Sequence, residues 1–328
     1  RAFNLTDAQL LQIGAAIHGA PVRGCRLESC IPLNQSGGRY KAACTLILTT
    51  AGGYEATVPV FLKRTSTSSS PEAVHYRHLA GCGVATPKLY GVVVQRDGTE
   101  ILFLEQLTDI GFSRSNQAEW RQFLTLLAHF NACQLTPDYL PHLHPFEQGG
   151  RIGSLWITGF SPFPPALSVI RANFRACGLA QSQIHDLTLA AQRLCERVWA
   201  MPSGLIHQDF LSDNLGWRNE RAEMVVFDLH KNARGPRFAD AAHFLPRPDW
   251  SDTAGYLDES PLRRNELTVH YLQEYARFGG GDVPLEEFHS EASLLFWAHK
   301  TAILWWFAQQ QDTQRINQVL NYLRNRPG

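Results

Sequence analysis

The segment from His207 to Leu229 constrains the fold more than any other part of the chain. It begins H-Q-D-F-L-S-D-N-L-G-W, continues with a polar run that starts R-N-E-R, and ends M-V-V-F-D-L. Two short apolar runs joined by a polar turn are typical of a β-hairpin. The hairpin would carry Asn214 at its start and Asp228 at its end.

Asp209, Asn214 and Asp228 are the residue types that phosphoryl transfer requires. That reaction depends on positioning and charge neutralisation more than on covalent chemistry by the protein. A carboxylate beside the attacking hydroxyl is the role expected for Asp209. Magnesium prefers hard oxygen ligands, which Asn214 and Asp228 would supply. His207, Asp209 and Asn214 also keep the spacing H-x-D-x-x-x-x-N of a kinase catalytic loop.

A purely structural interpretation of these residues is also open. His207 could be a core histidine, and Asp209, Asp213 and Asn214 could be ordinary turn formers. Chance often supplies the spacing by itself, so the upstream sequence must decide.

The upstream sequence contains a strand and a helix that fit the same chemistry. V-P-V-F-L-K, ending at Lys63, resembles the V-A-I-K strand whose lysine touches nucleotide phosphates. A serine-rich run followed by Pro71 and Glu72 predicts a helix start. Glu72 is then the natural partner of Lys63. Alternatively, Lys63 is a solvated strand-end lysine and Glu72 only complements the helix dipole.

A glycine-containing loop precedes that strand. Within N-Q-S-G-G-R-Y-K, residues 34–41, the backbone N–H groups of Ser36, Gly37 and Gly38 could close over phosphates. The loop lacks G-x-G-x-x-G, so a plain hairpin turn is the alternative.

Five local features carry a resemblance to the aminoglycoside phosphotransferase and choline kinase-like superfamily: the catalytic loop, the segment 227–242, the helix of residues 126–132, the hinge strand of residues 101–107, and the helix and strand of residues 72–91. H-Q-D-F-L-S-D-N is similar to that family's H-G-D-x-x-x-x-N, with Gln208 in place of the usual glycine. F-D-L-H-K-N-A-R-G-P-R-F-A-D-A-A is similar to I-D-W-x-x-x-x-x-G-x-P-x-x-D-L-A. L-L-A-H-F-N-A resembles the family's L-A-x-L-H-A helix, with Asn131 in the histidine position.

The resemblance implies an α+β, bilobal, protein-kinase-like fold. Residues 1–107 would form an N-terminal nucleotide-binding lobe, a small antiparallel β-sheet with one helix, that ends in the hinge. Residues 108–328 would form a larger, mainly helical lobe for catalysis and acceptor binding.

The resemblance also implies ligands and further residue roles. I-L-F-L-E-Q-L is similar to the hinge strand, so the base of ATP or GTP is expected near Glu105, Gln106 and Leu107. Two magnesium ions would accompany the nucleotide. His207 and Asp240 would support the catalytic loop. The acceptor would be a small hydroxylated molecule, and the oligomeric state is not readable from the sequence.

The segment after Asp228 argues against a protein acceptor. Asp240 follows it by 12 positions, with no A-P-E motif and no room for a long activation loop. A small-molecule acceptor is therefore favoured. Within that class antibiotic inactivation is the leading hypothesis, followed by a metabolic kinase for an amino alcohol, sugar or amino acid. A catalytically silent kinase-like binding protein is the alternative from another class, although it would not need the full set of motif residues.

Composition narrows the partners and the compartment. Thirty basic and thirty acidic residues give a formal charge of zero, which argues against a nucleic-acid platform. No apolar run approaches the ~20 residues needed to cross a bilayer. Seven scattered cysteines without C-x-x-C suggest reduced thiols in the cytoplasm. An amphipathic helix capped near Thr6 or Asp7 is expected at the N-terminus.

The acceptor contacts are the least constrained part of the prediction. Eleven acids and five bases lie between Asp240 and Lys300, which would suit a cationic acceptor or simply a solvated surface. Asp249, Trp250 and Asp252 follow the metal segment closely and are the expected acceptor contacts. The apolar run from residue 294 to residue 307 is expected to be a buried helix.

Overall fold

The computed structural model describes residues 3–36, 39–65, 72–107, 109–113, 116–145, 164–218, 220–245 and 261–325. The chain separates into two compact units. The first comprises Arg1–Phe112 and Leu211–His230, and the second comprises Ser113–Phe210 and Lys231–Gly328. The division into functional lobes after Leu107 stays a prediction.

The first unit is built on five antiparallel strands: β1 Val22–Ser36, β2 Arg39–Thr50, β3 Glu55–Thr65, β4 Leu89–Val94 and β5 Glu100–Glu105. They lie in the order β1-β2-β3-β5-β4. Leu46, Leu48, Val60 and Leu62, two residues apart on each central strand, are fully buried. A period of two is what a strand requires to place one face in a core.

The predicted N-terminal helix is confirmed as α1, Asp7–His18. Thr6 N–H donates to Gln9 Oε1 at 2.9 Å and Gln9 N–H donates to Thr6 Oγ1 at 3.3 Å, a reciprocal capping box. Ile13 of this helix belongs to the core of the sheet. A Cβ on Gly91 of β4 would lie 2.4 Å from Ile13 Cδ1, so a larger residue there would force the end of the Ile13 side chain to move.

The predicted hairpin is also confirmed, and it belongs to the first unit. β9 (Leu215–Arg218) pairs antiparallel with β10 (Glu223–Val226), and β6 (Asp109–Ile110) adds a third strand beside β9. The end of the hairpin contacts the segment that leads into β4: Val226 N–H donates to the Ala85 carbonyl at 3.1 Å.

The second unit is mainly helical: α3 Gln117–Ala132, α4 Pro164–Ala176, α5 Gln181–Trp199, α6 Ala241–Phe244, α7 Pro261–Arg277, α8 Leu285–Ala302, α9 Leu304–Gln309 and α10 Thr313–Asn325. Its small sheet contains β7 (His144–Pro145), β8 (Ser203–Ile206) and β11 (Ala233–Pro236), with β11 in the centre. No helix among the described residues has both the length and the apolar character to cross a membrane.

The apolar run from residue 294 to residue 307 forms buried helix, as predicted, but in two pieces that meet at Ile303. Trp297 is 4 % exposed and stacks on Tyr322, with ring centroids 4.3 Å apart. Trp305, in contrast, is 37 % exposed.

The expectation that the cysteines are reduced thiols is wrong for four of the seven, because Cys30, Cys44, Cys82 and Cys133 are disulfide-bonded. Cys30 of β1 lies directly opposite Cys44 of β2, with Cα atoms 4.2 Å apart, and the two form a disulfide. The register of the hairpin creates this pairing, which the distance of 14 residues along the chain does not reveal. Cys25, Cys177 and Cys195 are free thiols.

Candidate active site

The ion pair predicted between Lys63 and Glu72 is present in the first unit. Lys63 lies near the end of β3, and Glu72 is the first residue of α2 (Glu72–Gly81). Lys63 Nζ is 2.8 Å from Glu72 Oε1 and 2.6 Å from Oε2. Both side chains are buried, at 3 % and 0 % exposure. Burial alone would lower the pKa of Lys63, but Glu72 and Asp228 raise it above its ordinary value.

Asp228 is held by three donors where the chain leaves β10. Lys63 Nζ and His230 Nδ1 contact its Oδ1, the latter at 2.8 Å, and Lys41 Nζ contacts Oδ2 at 3.1 Å. Burial favours the neutral acid, but these neighbours, Lys63 foremost, bring the pKa of Asp228 well below its usual range. The backbone at Asp228 has φ 63°, a left-handed conformation that is strained for a residue with a Cβ.

Asn214 ends a 3₁₀ turn, Ser212–Asn214, immediately before β9. Phe227 N–H donates to the Asn214 carbonyl at 3.0 Å, so the hairpin brings the backbone of Asn214 next to the residue preceding Asp228. This juxtaposition is the one that the hairpin prediction required.

The carboxylate chemistry of this cluster fits magnesium. Glu72, Asp228 and His230 each offer a ligand atom within 4.8 Å of the others. Glu72 is already committed to Lys63 and to Leu229 N–H, which donates to its Oε1 at 3.0 Å. Asp228 keeps 15 % exposure and offers the hard oxygens that magnesium prefers. Asp228 and Asn214 stay the predicted magnesium ligands.

The expected hinge residues lie at the end of β5 and directly after it. Glu105 N–H donates to the Lys88 carbonyl at 2.8 Å, and Glu105 Oε2 accepts from Lys88 N–H and from Arg218. The polar groups of Glu105 are therefore engaged within the protein. Among the described backbone hydrogen bonds none involves Gln106 or Leu107, and their contact with a base stays a prediction.

Several expected contacts fall where the structure is not described. Ser36 pairs with Arg39 at the tip of the β1–β2 hairpin, and Gly37 and Gly38 between them lie outside the described residues. The acceptor residues Asp249, Trp250 and Asp252 also lie outside them. The roles of these six glycine-loop and acceptor residues stay predictions.

In the second unit, Asp209 follows β8 and is paired with a lysine. Lys231 Nζ lies 2.6 Å from Asp209 Oδ2, and the two side chains are 14 % and 21 % exposed. Asp209 N–H donates to His207 Nδ1 at 3.3 Å. His207 is fully buried and packs edge-on against Phe130 and Phe210. His207 therefore holds the backbone of Asp209, and loop support remains the role predicted for it.

Asp240 accepts hydrogen bonds from the backbone of the same loop. His207 N–H donates to its Oδ2 at 2.8 Å and Gln208 N–H donates to its Oδ1 at 3.0 Å. Asn131 Nδ2 adds a third bond to Asp240 and also donates to the Leu205 carbonyl at 3.0 Å. Burial raises the pKa of Asp240 to about 6 against the effect of these donors.

Gln208 replaces the expected glycine at a position where glycine would be unstrained. Its φ is 67°, in the left-handed region. Its side chain is 3 % exposed, and among the described residues neither its Nε2 nor its Oε1 has a hydrogen-bond partner.

A family model described as "Phosphotransferase enzyme family" matches residues 45–280 of the sequence. The chain belongs to this family. The match covers the strand of Lys63, the loop of Asp209 and the segment of Asp228, and it confirms the prediction of a small-molecule phosphotransferase. Among curated proteins, none matches the sequence.

Solved structures confirm the protein-kinase-like fold of this phosphotransferase. A Ralstonia eutropha JMP134 protein, described as a candidate aminoglycoside phosphotransferase, is 13 % identical with a TM-score of 0.54, over 98 % of this chain and 99 % of that one. An ethanolamine kinase from Plasmodium vivax is 15 % identical with a TM-score of 0.51, over 90 % and 81 % of the two chains.

Sequence reasoning missed two lysines of this phosphotransferase. Lys41 contacts Asp228, and Lys231 contacts Asp209. The signal for Lys231 was its place three residues after Asp228 in a motif already singled out. Lys41 could be found only from the register of β2 and β3, which places it opposite Lys63. No sequence motif indicates that register.

Proposed function

We propose that this phosphotransferase moves the γ-phosphate of ATP or GTP to a hydroxyl of a small molecule in a magnesium-dependent reaction. The observation that carries the proposal is the buried chain of charges from Glu72 through Lys63 to Asp228. It joins residues 165 positions apart in the sequence. A structural core has little need for such a cluster, since a buried ion pair adds little stability over apolar packing.

Each residue has a role in the proposed transfer. Asp209 orients the acceptor hydroxyl and accepts its proton. Lys63, fixed by Glu72, binds nucleotide phosphate. Asn214 and Asp228 would hold magnesium, which when bound neutralises charge on the phosphates. The backbone of residues 106 and 107 offers hydrogen bonds to the base.

We further propose an antibiotic as the acceptor, with a metabolic amino alcohol, sugar or amino acid as the second candidate. The acidic excess after residue 240 gives limited support to a cationic acceptor. Four of those acids serve the protein itself: Asp240 holds the catalytic loop, Glu274 pairs with Arg277, and Glu287 and Glu291 pair with Arg237. The fold shared with an ethanolamine kinase makes amino alcohols the first metabolic acceptors to examine.

The test has two stages. Thermal melting with ATP and with GTP, each with and without magnesium, is expected to show a magnesium-dependent stabilisation because a ligand that binds only the folded state stabilises it. ADP or GDP release is then measured with aminoglycosides, macrolides, nucleoside and peptide antibiotics, choline, ethanolamine and homoserine. One acceptor should drive release.

The contradicting results are equally specific. Absence of any nucleotide shift, with no heat of binding in calorimetry, would favour the catalytically silent binding protein. Turnover on a peptide but on no small molecule would favour a protein kinase, against the short segment after Asp228.

A further inference from the structure

Two lysines lie side by side on the sheet of the first unit. Lys41 of β2 is the direct cross-strand partner of Lys63 of β3. Like charges directly opposite each other in a sheet are destabilising. Such an arrangement persists only where an anion compensates it.

The compensating anion within the described residues is Asp228. Lys63 contacts its Oδ1 and Lys41 contacts its Oδ2, the latter at 3.1 Å. The described contacts of the Glu72 carboxylate are with Lys63 Nζ and Leu229 N–H. Lys41 therefore depends on the one carboxylate that the proposed function also assigns to the metal.

The two lysines differ in exposure. The side chain of Lys63 is 3 % exposed, whereas that of Lys41 is 29 % exposed. Lysine is a compact charge on a flexible stem, so a partly exposed ammonium can exchange one anionic partner for another at little cost. Lys41 has this freedom and Lys63 has little of it.

We infer that Lys41 is a second phosphate-binding lysine, which pairs with Asp228 in the free protein and transfers to the polyphosphate of the nucleotide when that carboxylate is taken up by the cation. The inference rests on the proposed function and extends it by one positioning residue. It assigns the cross-strand pair of lysines, rather than Lys63 alone, to a nucleoside di- or triphosphate.

The decisive measurement is calorimetric binding to the full chain in the presence of magnesium. The probes are AMP-PNP and GMP-PNP, with adenosine and guanosine as phosphate-free references. The variants are Lys41→Gln, Lys41→Arg and a charge-matched control, Arg64→Gln. Arg64 is the neighbour of Lys63 on β3 and pairs with Asp97 at 2.8 Å, so its loss removes one positive charge from the same sheet.

We expect Lys41→Gln to weaken binding of the preferred triphosphate analogue about tenfold or more, as the loss of a charge-assisted hydrogen bond does. Its affinity for the matching nucleoside should stay within about twofold of the wild type, because no phosphate contact is involved. Lys41→Arg should recover part of the loss, and Arg64→Gln should bind as the wild type does. Circular dichroism spectra check that each variant is folded.

Two results would overturn the inference in distinguishable ways. The role of Lys41 would be overturned if Lys41→Gln bound the triphosphate analogue as tightly as the wild type does, or if it lost equal affinity for the analogue and for the nucleoside. Either result would leave the proposed function intact. Failure of the wild-type chain to bind any of the four probes would overturn the proposed function together with the inference.

Discussion

Lys231 Nζ lies 2.6 Å from Asp209 Oδ2, so the carboxylate assigned to the acceptor hydroxyl is already paired in the free protein. Both side chains are largely buried, at 14 % and 21 % exposure. A partly buried charge-assisted bond fixes the orientation of a carboxylate better than a solvated one does. Lys231 is therefore placed to orient Asp209.

Replacing Lys231 by methionine should lower kcat about 10- to 100-fold, because a mispositioned base loses part of the factor that general acid–base catalysis contributes. Nucleotide affinity should change little, since the described side-chain contact of the lysine is with Asp209. Steady-state kinetics with the identified acceptor, together with nucleotide calorimetry, check both statements. Arg234→Gln is the control, because Arg234 is exposed and bonds only Ser203 Oγ among its described contacts. Turnover of the methionine variant within twofold of wild type would contradict the role of Lys231.

Asp209→Ala and Asp228→Ala should fail in different ways. Without Asp209 the acceptor hydroxyl has no base, so turnover should fall at least about 100-fold while magnesium-dependent nucleotide binding persists. Without Asp228 the chain loses a hard oxygen ligand, so the magnesium dependence of nucleotide binding should itself disappear. Turnover assays and calorimetry with and without magnesium separate the two. Retained activity in the first variant, or unchanged magnesium-dependent affinity in the second, would refute the respective role.

Gln208→Gly should stabilise the protein. Glycine adopts φ 67° without strain, whereas the same backbone conformation costs a residue with a Cβ about 1 kcal/mol. The change also removes an amide that is buried without a partner among the described residues, although glycine adds entropy to the unfolded chain. A net gain of about 1 kcal/mol, or about 2 °C in Tm, is expected. Gln208→Ala, which keeps the Cβ at the same φ, should gain less. A lower Tm for the glycine variant would show that the glutamine side chain contributes packing that outweighs the strain.

Asp240 should give the stability of the protein a characteristic dependence on pH. Burial raises its pKa from the ordinary 3.8 to about 6, so between these values the folded state binds a proton that the unfolded state has lost. The contribution of Asp240 to the free energy of unfolding should then fall as pH rises from about 4 to about 6, by roughly 3 kcal/mol for two pKa units. Above pH 6 this contribution should level off.

Asp240→Asn cannot ionise and should lack this component. Urea denaturation from pH 4 to 7 should therefore show the variant gaining stability relative to the wild type as pH rises. The variant can be less stable than the wild type at every pH, since an amide replaces a carboxylate that accepts three hydrogen bonds. Only the change of this stability difference with pH tests the raised pKa. Parallel curves for the two proteins would contradict the raised pKa.

Sequence motifs predicted the parts of the site that depend on spacing along one strand or loop. The hairpin after Asp209 forms because two apolar runs flank a polar turn, and its closure brings Asn214 towards the end of the strand that leads to Asp228. The pairing of Lys63 with Glu72 likewise followed from a strand and a helix start in the expected order. Residue type and local periodicity were sufficient for the hairpin, whereas the ion pair was predicted from its likeness to the lysine–glutamate pair of kinases.

Contacts that depend on register were not predictable in this way. Lys41 faces Lys63, and Cys30 faces Cys44, only because β2 pairs with its two neighbours at one particular offset. A shift of one residue would turn each side chain to the other face of the sheet. The sequence indicates that strands exist there, but the offset is set by the packing of the whole sheet.

The buried pair of Lys63 and Glu72 offers the strongest stability test of the first unit. Glu72→Gln leaves Lys63 with Asp228 as its remaining anion, and breaking a buried pair on one side costs about 3 kcal/mol. The double variant Lys63→Met/Glu72→Gln removes both buried charges together. Its loss of stability should therefore be smaller than the summed losses of the two single variants. Thermal and urea unfolding of the four proteins give this coupling directly. Additive effects would mean that Glu72 and Lys63 do not stabilise each other, and would remove the pair from the argument for a nucleotide site.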